Sequence, residues 1–156
     1  MEPKFGIIGC GGISRFHFHA LAKCGARVVH ISDVVPDAAK PYVQTFGARF
    51  STDYRELLAD PEVTVVSVLT TGKYHRDICL AALEAGKDVI CEKPTYNVHE
   101  GRVLADTVRR YAAVFQTSTE DRSIGLYHRM AELVRNGRIG KLQRILVTLP
   151  ESPTSP

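Results

Sequence analysis

Phe5-Gly6-Ile7-Ile8-Gly9-Cys10-Gly11-Gly12-Ile13-Ser14 is the stretch on which the fold turns. A short apolar run ends at a glycine cluster. Behind it, residues 13–24 carry Ile13, Phe16, Ala20 and Leu21 at helical spacing, with Gly25 as the stop. The order is strand, tight turn, helix. The glycines read Gly-x-Gly-x-x-Ser, with Ser14 where a dinucleotide fingerprint prefers Gly or Ala. Gly9 permits the turn. Gly11, with Gly12 and Ile13 beside it, lets the backbone approach a pyrophosphate with no Cβ in the way. Ser14 is small enough for the helix to pack close to the strand, and the helix start offers unpaired N–H groups to phosphates.

Outward from that loop the chain alternates between two periods. Arg27-Val-Val-His-Ile-Ser-Asp33 is β-branched and reads as a strand, and Asp33 lies 19 residues after Ser14. A carboxylate there can accept from both hydroxyls of an adenosine ribose and would repel a 2′-phosphate. Val34, Val35 and Pro36 follow it, with no arginine directly behind, so NAD is expected over NADP. A helix is expected from about Asp37 to Gly47, short or late-starting because of Pro41. Phe50 belongs to a brief strand, and Asp53 to Leu58 to a short helix closed by Asp60-Pro61. Val63 to Leu69 is almost continuously β-branched, as suits a strand buried on both faces. Tyr74 to Ala85 reads as a helix ended by Gly86, and Asp88 to Cys91 as a strand. Asn97 with Glu100 opens a helix to about Tyr111, and Ala113 to Gln116 is a sixth strand. Strands and helices alternating through short connections predict an α/β protein with a doubly wound parallel sheet. This is a Rossmann fold with strand order 3-2-1-4-5-6.

The bulk properties exclude other classes. A chain of 156 residues suits one domain and hides about 68–70% of its unfolded surface. With 44% hydrophobic and 24% charged residues it is neither disordered, collagen-like nor a coiled coil. No apolar run approaches the roughly 20 residues that cross a bilayer, and Met-Glu-Pro-Lys does not begin a signal peptide, so no membrane partner is expected. The net charge of +3 is small and dispersed. Arg109-Arg110 and the basic residues from Arg135 to Lys141 fall at helix ends, where cations complement the dipole, so no nucleic-acid partner is expected. Cys10, Cys24, Cys79 and Cys91 form no Cys-x-x-Cys pair and read as small buried hydrophobes of a cytoplasmic protein. His17 and His19, two apart on a helix, face different ways, so no metal site is expected.

Cys91-Glu92-Lys93-Pro94 ends the fifth strand. Sites in open α/β sheets lie at the carboxyl ends of strands. A lysine there would stand near the nicotinamide end of a dinucleotide and could polarise a substrate hydroxyl or carbonyl. Taken alone, Glu-Lys-Pro reads as an ordinary solvated turn.

Several motifs converge on one family. Gly9-x-Gly11-Gly12-Ile13, Asp33, Thr70-x-x-x-x-His75 and the block from Ala81 to Pro94 resemble the Gfo/Idh/MocA oxidoreductases. These are the relatives of glucose–fructose oxidoreductase and inositol dehydrogenase. Glu132 to Lys141 is similar to the family's junction with its second domain, so the resemblance covers essentially the whole chain. The Ala-Gly-Lys-x-Val-x-Cys-Glu-Lys-Pro block is its specific part. The resemblance implies an NAD(P)-dependent hydride transfer on a sugar, cyclitol or related polyol. It implies that Lys93 is the catalytic lysine on the reacting oxygen and that the Lys93–Pro94 bond is cis, a form that costs only about 0.5–1 kcal/mol before proline. It places Thr70, His75, Glu92 and Gln116 along the cofactor. Their plainer readings are strand-end caps and a helix-start histidine. Where the family commonly has Pro and Asn after the threonine, this chain has Thr71 and Gly72.

The expected organisation is a dinucleotide-binding domain over 1–120, a linking helix over 121–140, and the start of a truncated C-terminal substrate domain over 141–156. Ile124 to Val134 is the amphipathic part of the link, stopped by Asn136-Gly137. Leu142 to Leu149 reads as the first strand of the second domain, with Ile145, Val147 and Leu149 on one face. Such an open strand is expected either to pair with its copy in a second molecule, giving a homo-oligomer, or to be poorly ordered. In the family the second domain supplies an acid/base, often a histidine, and most substrate contacts. The rival class is a non-catalytic dinucleotide sensor or regulatory module.

Overall fold

The computed structural model describes residues 2–93 and 97–148 and divides into two compact units, Met1–Ser118 and Thr119–Pro156. In the first unit, β1 (Lys4–Ile8), β2 (Arg27–Ser32), β3 (Arg49–Ser51), β4 (Val65–Val68), β5 (Asp88–Glu92) and β6 (Phe115–Ser118) form one sheet. The order is β3-β2-β1-β4-β5-β6 and every neighbouring pair is parallel. The crossovers carry α1 (Ser14–Lys23), α2 (Pro36–Phe46), α3 (Tyr54–Ala59), α4 (His75–Glu84) and α5 (Val98–Tyr111). This is the doubly wound order that the alternation of periods predicts.

Both sheet faces are covered, which is why the central strands read as continuous apolar runs. Ile7 and Ile31 pack with Phe18 and Ala39 on the α1/α2 side. Ile8, Val66, Val68 and Val89 pack with Leu57, Leu83 and Leu104 on the other. Gly6 is required in β1 by contact: a Cβ there would sit 2.6 Å from Leu57 Cδ2 and 2.9 Å from Val63 Cγ1.

Two local expectations are corrected. The core residue of α1 is Phe18, stacked on Tyr42 with ring centroids 3.8 Å apart, whereas Phe16 is 58% exposed beneath the Arg15 guanidinium. Ser14 sets this face: it is fully buried, and Phe18, four residues on, must follow it inward. The helix α2 is neither short nor late; it runs 11 residues from Pro36. Pro36 stands at the first helical position, where a missing N–H is harmless, and Pro41 on an exposed face forgoes a single ladder bond.

The amino end of the sheet is tied by charge. Asp60, buried at the end of α3, has Oδ2 3.0 Å from both His30 Nδ1 and Arg49 Nη1, while its Oδ1 accepts from Glu62 N at 2.9 Å. Glu62 in turn pairs with Lys4 at 2.9 Å and Arg49 at 2.7 Å. Lys87 Nζ donates to the carbonyls of Asp60 and Val63.

In the second unit a short 3-10 turn, Glu120–Ser123, precedes α6 (Gly125–Arg135). Leu126, Tyr127 and Met130 on this helix are exposed. The strand expected from Leu142 does not form over residues 142–148, and Ile145 and Val147 are exposed. Alternating apolar residues do not make a strand without a partner for its N–H and C=O groups. Leu149, and Pro94 with the bond preceding it, lie outside the described residues.

Candidate functional site

The carboxyl ends of β1, β2 and β4 open on a cleft of about 700 Å³. Its floor is the glycine loop. Gly9 has φ +101°, and a Cβ on it would stand 2.9 Å from the Leu69 carbonyl group, so both conformation and space demand glycine. Its N–H donates to Ser32 O at 2.9 Å, which pins the loop between β2 and β4. Gly11 and Gly12 differ. Among the described residues no atom beyond their chain neighbours lies within 4 Å of where their Cβ atoms would be, and both line the cleft with Ile13. Their bare backbone faces open space of the kind a pyrophosphate fills.

Ser14 lies beneath this loop, and its Oγ donates to Gly11 O at 2.7 Å. The first turn of α1 carries no side-chain cap and no acidic residue, so its partial positive charge is left for a ligand, while the Ser14 and Phe16 N–H groups donate to Gly11 O at 3.0 Å and Ile13 O at 3.1 Å. Cys10 adds no charge: burial, reinforced by the nearby Asp33 carboxylate, pushes its thiol up to about 12.

Asp33 stands where β2 leaves the sheet. Its Oδ2 accepts from Cys10 N and its Oδ1 accepts from Val35 N at 2.7 Å, so the carboxylate is oriented by the loop it borders. A carboxylate has about four acceptor positions, so two backbone bonds leave capacity for ribose hydroxyls. Across the cleft, Thr70 follows β4. Its Oγ1 is buried with no hydrogen-bond partner among the described residues, although it borders the cleft. A buried hydroxyl ordinarily has a partner, and a ligand in the cleft would supply one. Behind Thr70, the buried His75 lies with Nε2 2.8 Å from Thr70 O; a carbonyl only accepts, so this nitrogen carries the proton.

At the end of β5, Glu92 is buried with Oε1 2.8 Å from His17 Nε2, and its Oε2 accepts from Lys93 N at 3.1 Å. Lys93 itself is exposed. Gln116 is exposed on the edge strand β6, where its Nε2 donates to Thr117 O at 2.8 Å. The structure therefore brings Gly9, Gly11, Gly12, Ile13, Asp33 and Thr70 onto one cleft. Ser14, His75 and Glu92 are buried. Lys93 and Gln116 do not line it. The cleft also uses Val34, Thr52, Tyr54 and Tyr74, which sequence reasoning missed. Val34 offered a signal, an apolar residue beside the acid, left 82% exposed. Thr52, Tyr54 and Tyr74 offered none, because they reach the cleft through the fold.

The bare glycine face, the uncapped helix start, the oriented carboxylate and the orphan hydroxyl fit a dinucleotide. Comparison with known proteins agrees. Residues 3–119 match GFO_IDH_MocA, described as "Oxidoreductase family, NAD-binding Rossmann fold". The chain is 32% identical over 141 residues to the 1,5-anhydro-D-fructose reductase of Ensifer adhaerens, matching 88% of this chain and 42% of that protein. It is 34% identical over 146 residues to inositol 2-dehydrogenase 2 of Saccharopolyspora erythraea, matching 90% of this chain and 43% of that protein. It thus spans less than half the length of these relatives. Among solved structures, a WlbA dehydrogenase from Chromobacterium violaceum with NADH and UDP-GlcNAcA superposes with a TM-score of 0.82 at 25% identity, over 89% of this chain and 41% of that one. A 3-ketoreductase variant from Actinomadura kijaniata with TDP-benzene and NADP gives 0.83 at 26% identity, over 90% and 44%. Motifs, strand order, cleft and comparisons converge: the chain belongs to the Gfo/Idh/MocA oxidoreductase family and carries its NAD-binding Rossmann fold.

Proposed function

We propose that this chain is the cofactor-binding part of an enzyme that moves a hydride between a nicotinamide and the carbinol carbon of a sugar, cyclitol or related polyol. The observation that carries this reading is the cleft itself, with space over Gly11 and Gly12 and a Thr70 hydroxyl without a hydrogen-bond partner among the described residues, and Asp33 on its lining. When bound, the nicotinamide would supply the hydride acceptor or donor. The glycine loop and the start of α1 would hold the pyrophosphate. Asp33 would accept from the adenosine ribose. Because it would repel a 2′-phosphate and Val34 follows it, NAD is preferred to NADP in this reading. Lys93 would hydrogen-bond the reacting oxygen, stabilising the developing oxyanion or sharing its proton. His75, Glu92 and Gln116 are assigned to the cofactor side by similarity to the family. Thr70 has in addition its unpartnered hydroxyl.

In the same reading, residues 141–156 begin a substrate domain that carries the acid/base partner of Lys93, and the protein works in the cytoplasm as a homo-oligomer. Among the described residues no helix is long and apolar enough to cross a membrane. The relatives' names, anhydrofructose reductase and inositol dehydrogenase, define the substrate class to try first. The test is NADH formation from NAD with a panel of cyclitols and sugars, using the full-length protein. Turnover that Lys93→Ala abolishes is the expected result. Turnover indifferent to Lys93→Ala contradicts the role given to the lysine, and dinucleotide binding without turnover on any polyol favours a sensor.

A further inference from the structure

His17 stands on the first turn of α1, the helix whose start faces the glycine loop, and 75 residues later in the chain Glu92 ends β5 beside Lys93. The two meet at 2.8 Å. The Glu92 carboxylate is buried, and a buried carboxylate is costly unless hydrogen-bonded. Both its oxygens are engaged, Oε1 with the His17 ring and Oε2 with the Lys93 N–H. One side chain thus connects the element that would bind pyrophosphate to the backbone turn that presents Lys93. His19, two residues on, is exposed and takes no part.

We infer that His17 is a positioning residue for the nicotinamide side of the site. Its ring locks the Glu92 carboxylate, and through it the Lys93 corner, in register with the glycine loop. The inference rests on the dinucleotide reading above and goes beyond it by assigning a role to a residue that does not line the cleft. A positioning role of this kind has a signature that a purely structural one lacks. The ADP-ribose half of the ligand would lie on the glycine loop and Asp33, while only the nicotinamide half would meet the β5 corner.

The test is calorimetric titration of the wild-type chain, His17→Ala and His17→Gln with NADH and with ADP-ribose. His17→Ala should weaken NADH about tenfold, as suits the loss of a hydrogen bond to a charged group, and leave ADP-ribose affinity unchanged. His17→Gln, which retains an N–H donor, should recover most of the loss. Equal weakening of both ligands, or no weakening of NADH, overturns the inference. If the wild-type chain binds neither ligand, the dinucleotide reading fails first and this inference falls with it. A second measurement does not depend on how the variants fold. In the nitrogen-labelled wild-type chain, the His17 ring signals should shift with NADH and not with ADP-ribose; identical responses to the two ligands contradict the inference.

Discussion

The two ends of the sheet are built on opposite terms. At the amino end, Asp60, Glu62, His30, Arg49, Lys4 and Lys87 satisfy one another in a continuous set of hydrogen bonds and ion pairs. At the carboxyl end, among the described residues, the glycine faces are bare, the helix start has no side-chain cap and the Thr70 hydroxyl is buried without a hydrogen-bond partner. The same six strands feed both ends, so the difference is not one of fold. One end joins its polar side chains to one another, and the other, although Asp33 and Glu92 are hydrogen-bonded there, borders an open cleft. Substitutions should therefore divide by location into those that lower stability and those that lower affinity.

The largest effect is expected at Asp60. Removing it takes the acceptor from the buried His30 and from the Glu62 N–H, and leaves Arg49 with Glu62 alone; at about 1.5–3 kcal/mol for each hydrogen bond to a charged group, Asp60→Ala should lose about 3–5 kcal/mol of stability in denaturant unfolding. NADH affinity of the folded fraction should not change; a parallel loss of affinity would break the division between the ends. Next, Gly9→Ala at the carboxyl end should cost about 1–3 kcal/mol in backbone strain alone, and it should also weaken NADH binding, since the loop must shift away from Leu69. Asp33→Ala should narrow the preference for NAD over NADP by about tenfold, equivalent to roughly 1.4 kcal/mol, as read from the two dissociation constants. An unchanged ratio would remove Asp33 from the account of cofactor choice.

The smallest expected effect is in acid. Burial works to raise the Asp60 carboxyl, but the Glu62 N–H, His30 and the Arg49 charge outweigh it and hold it below the ordinary carboxylate range. A carboxyl with a depressed native pKa stabilises the fold above its unfolded value, near about 4, and loses that contribution as the pH falls through the native value. Unfolding followed below pH 5 or so should therefore show a steeper loss of stability for the wild-type chain than for Asp60→Asn. Equal slopes would mean that Asp60 does not titrate as its surroundings indicate.

The fold was legible because its signals are local and periodic. The glycine loop after Ile8, the acid at 33 and the β-branched run from Val63 to Leu69 each carry their own reason. The cleft was legible where residues act through their backbone or sit at strand ends, as Gly9, Gly11, Asp33 and Thr70 do. What was not legible depends on distance across the fold. The pairing of His17 with Glu92 joins residues 75 apart, and nothing near His17 in the sequence distinguishes it from His19. The inward turn to Phe18 in place of Phe16 follows from the burial of Ser14, a packing fact. The strand expected after Leu142 has the right alternation but no partner strand among the described residues.

The claim that the carboxyl-end cleft is kept open for a dinucleotide is tested most directly by titrating the chain and its Gly11→Val variant with NADH while measuring the stability of both. Among the described residues, a valine at 11 would meet no atom within 4 Å of its Cβ beyond its chain neighbours, so the fold should be indifferent to it, while the space a pyrophosphate needs would be occupied. The expected result is saturable binding by the wild-type chain, at least tenfold weaker in Gly11→Val, with stabilities equal to within about 0.5 kcal/mol. Binding that is absent from the wild-type chain, or that Gly11→Val leaves untouched, would contradict it.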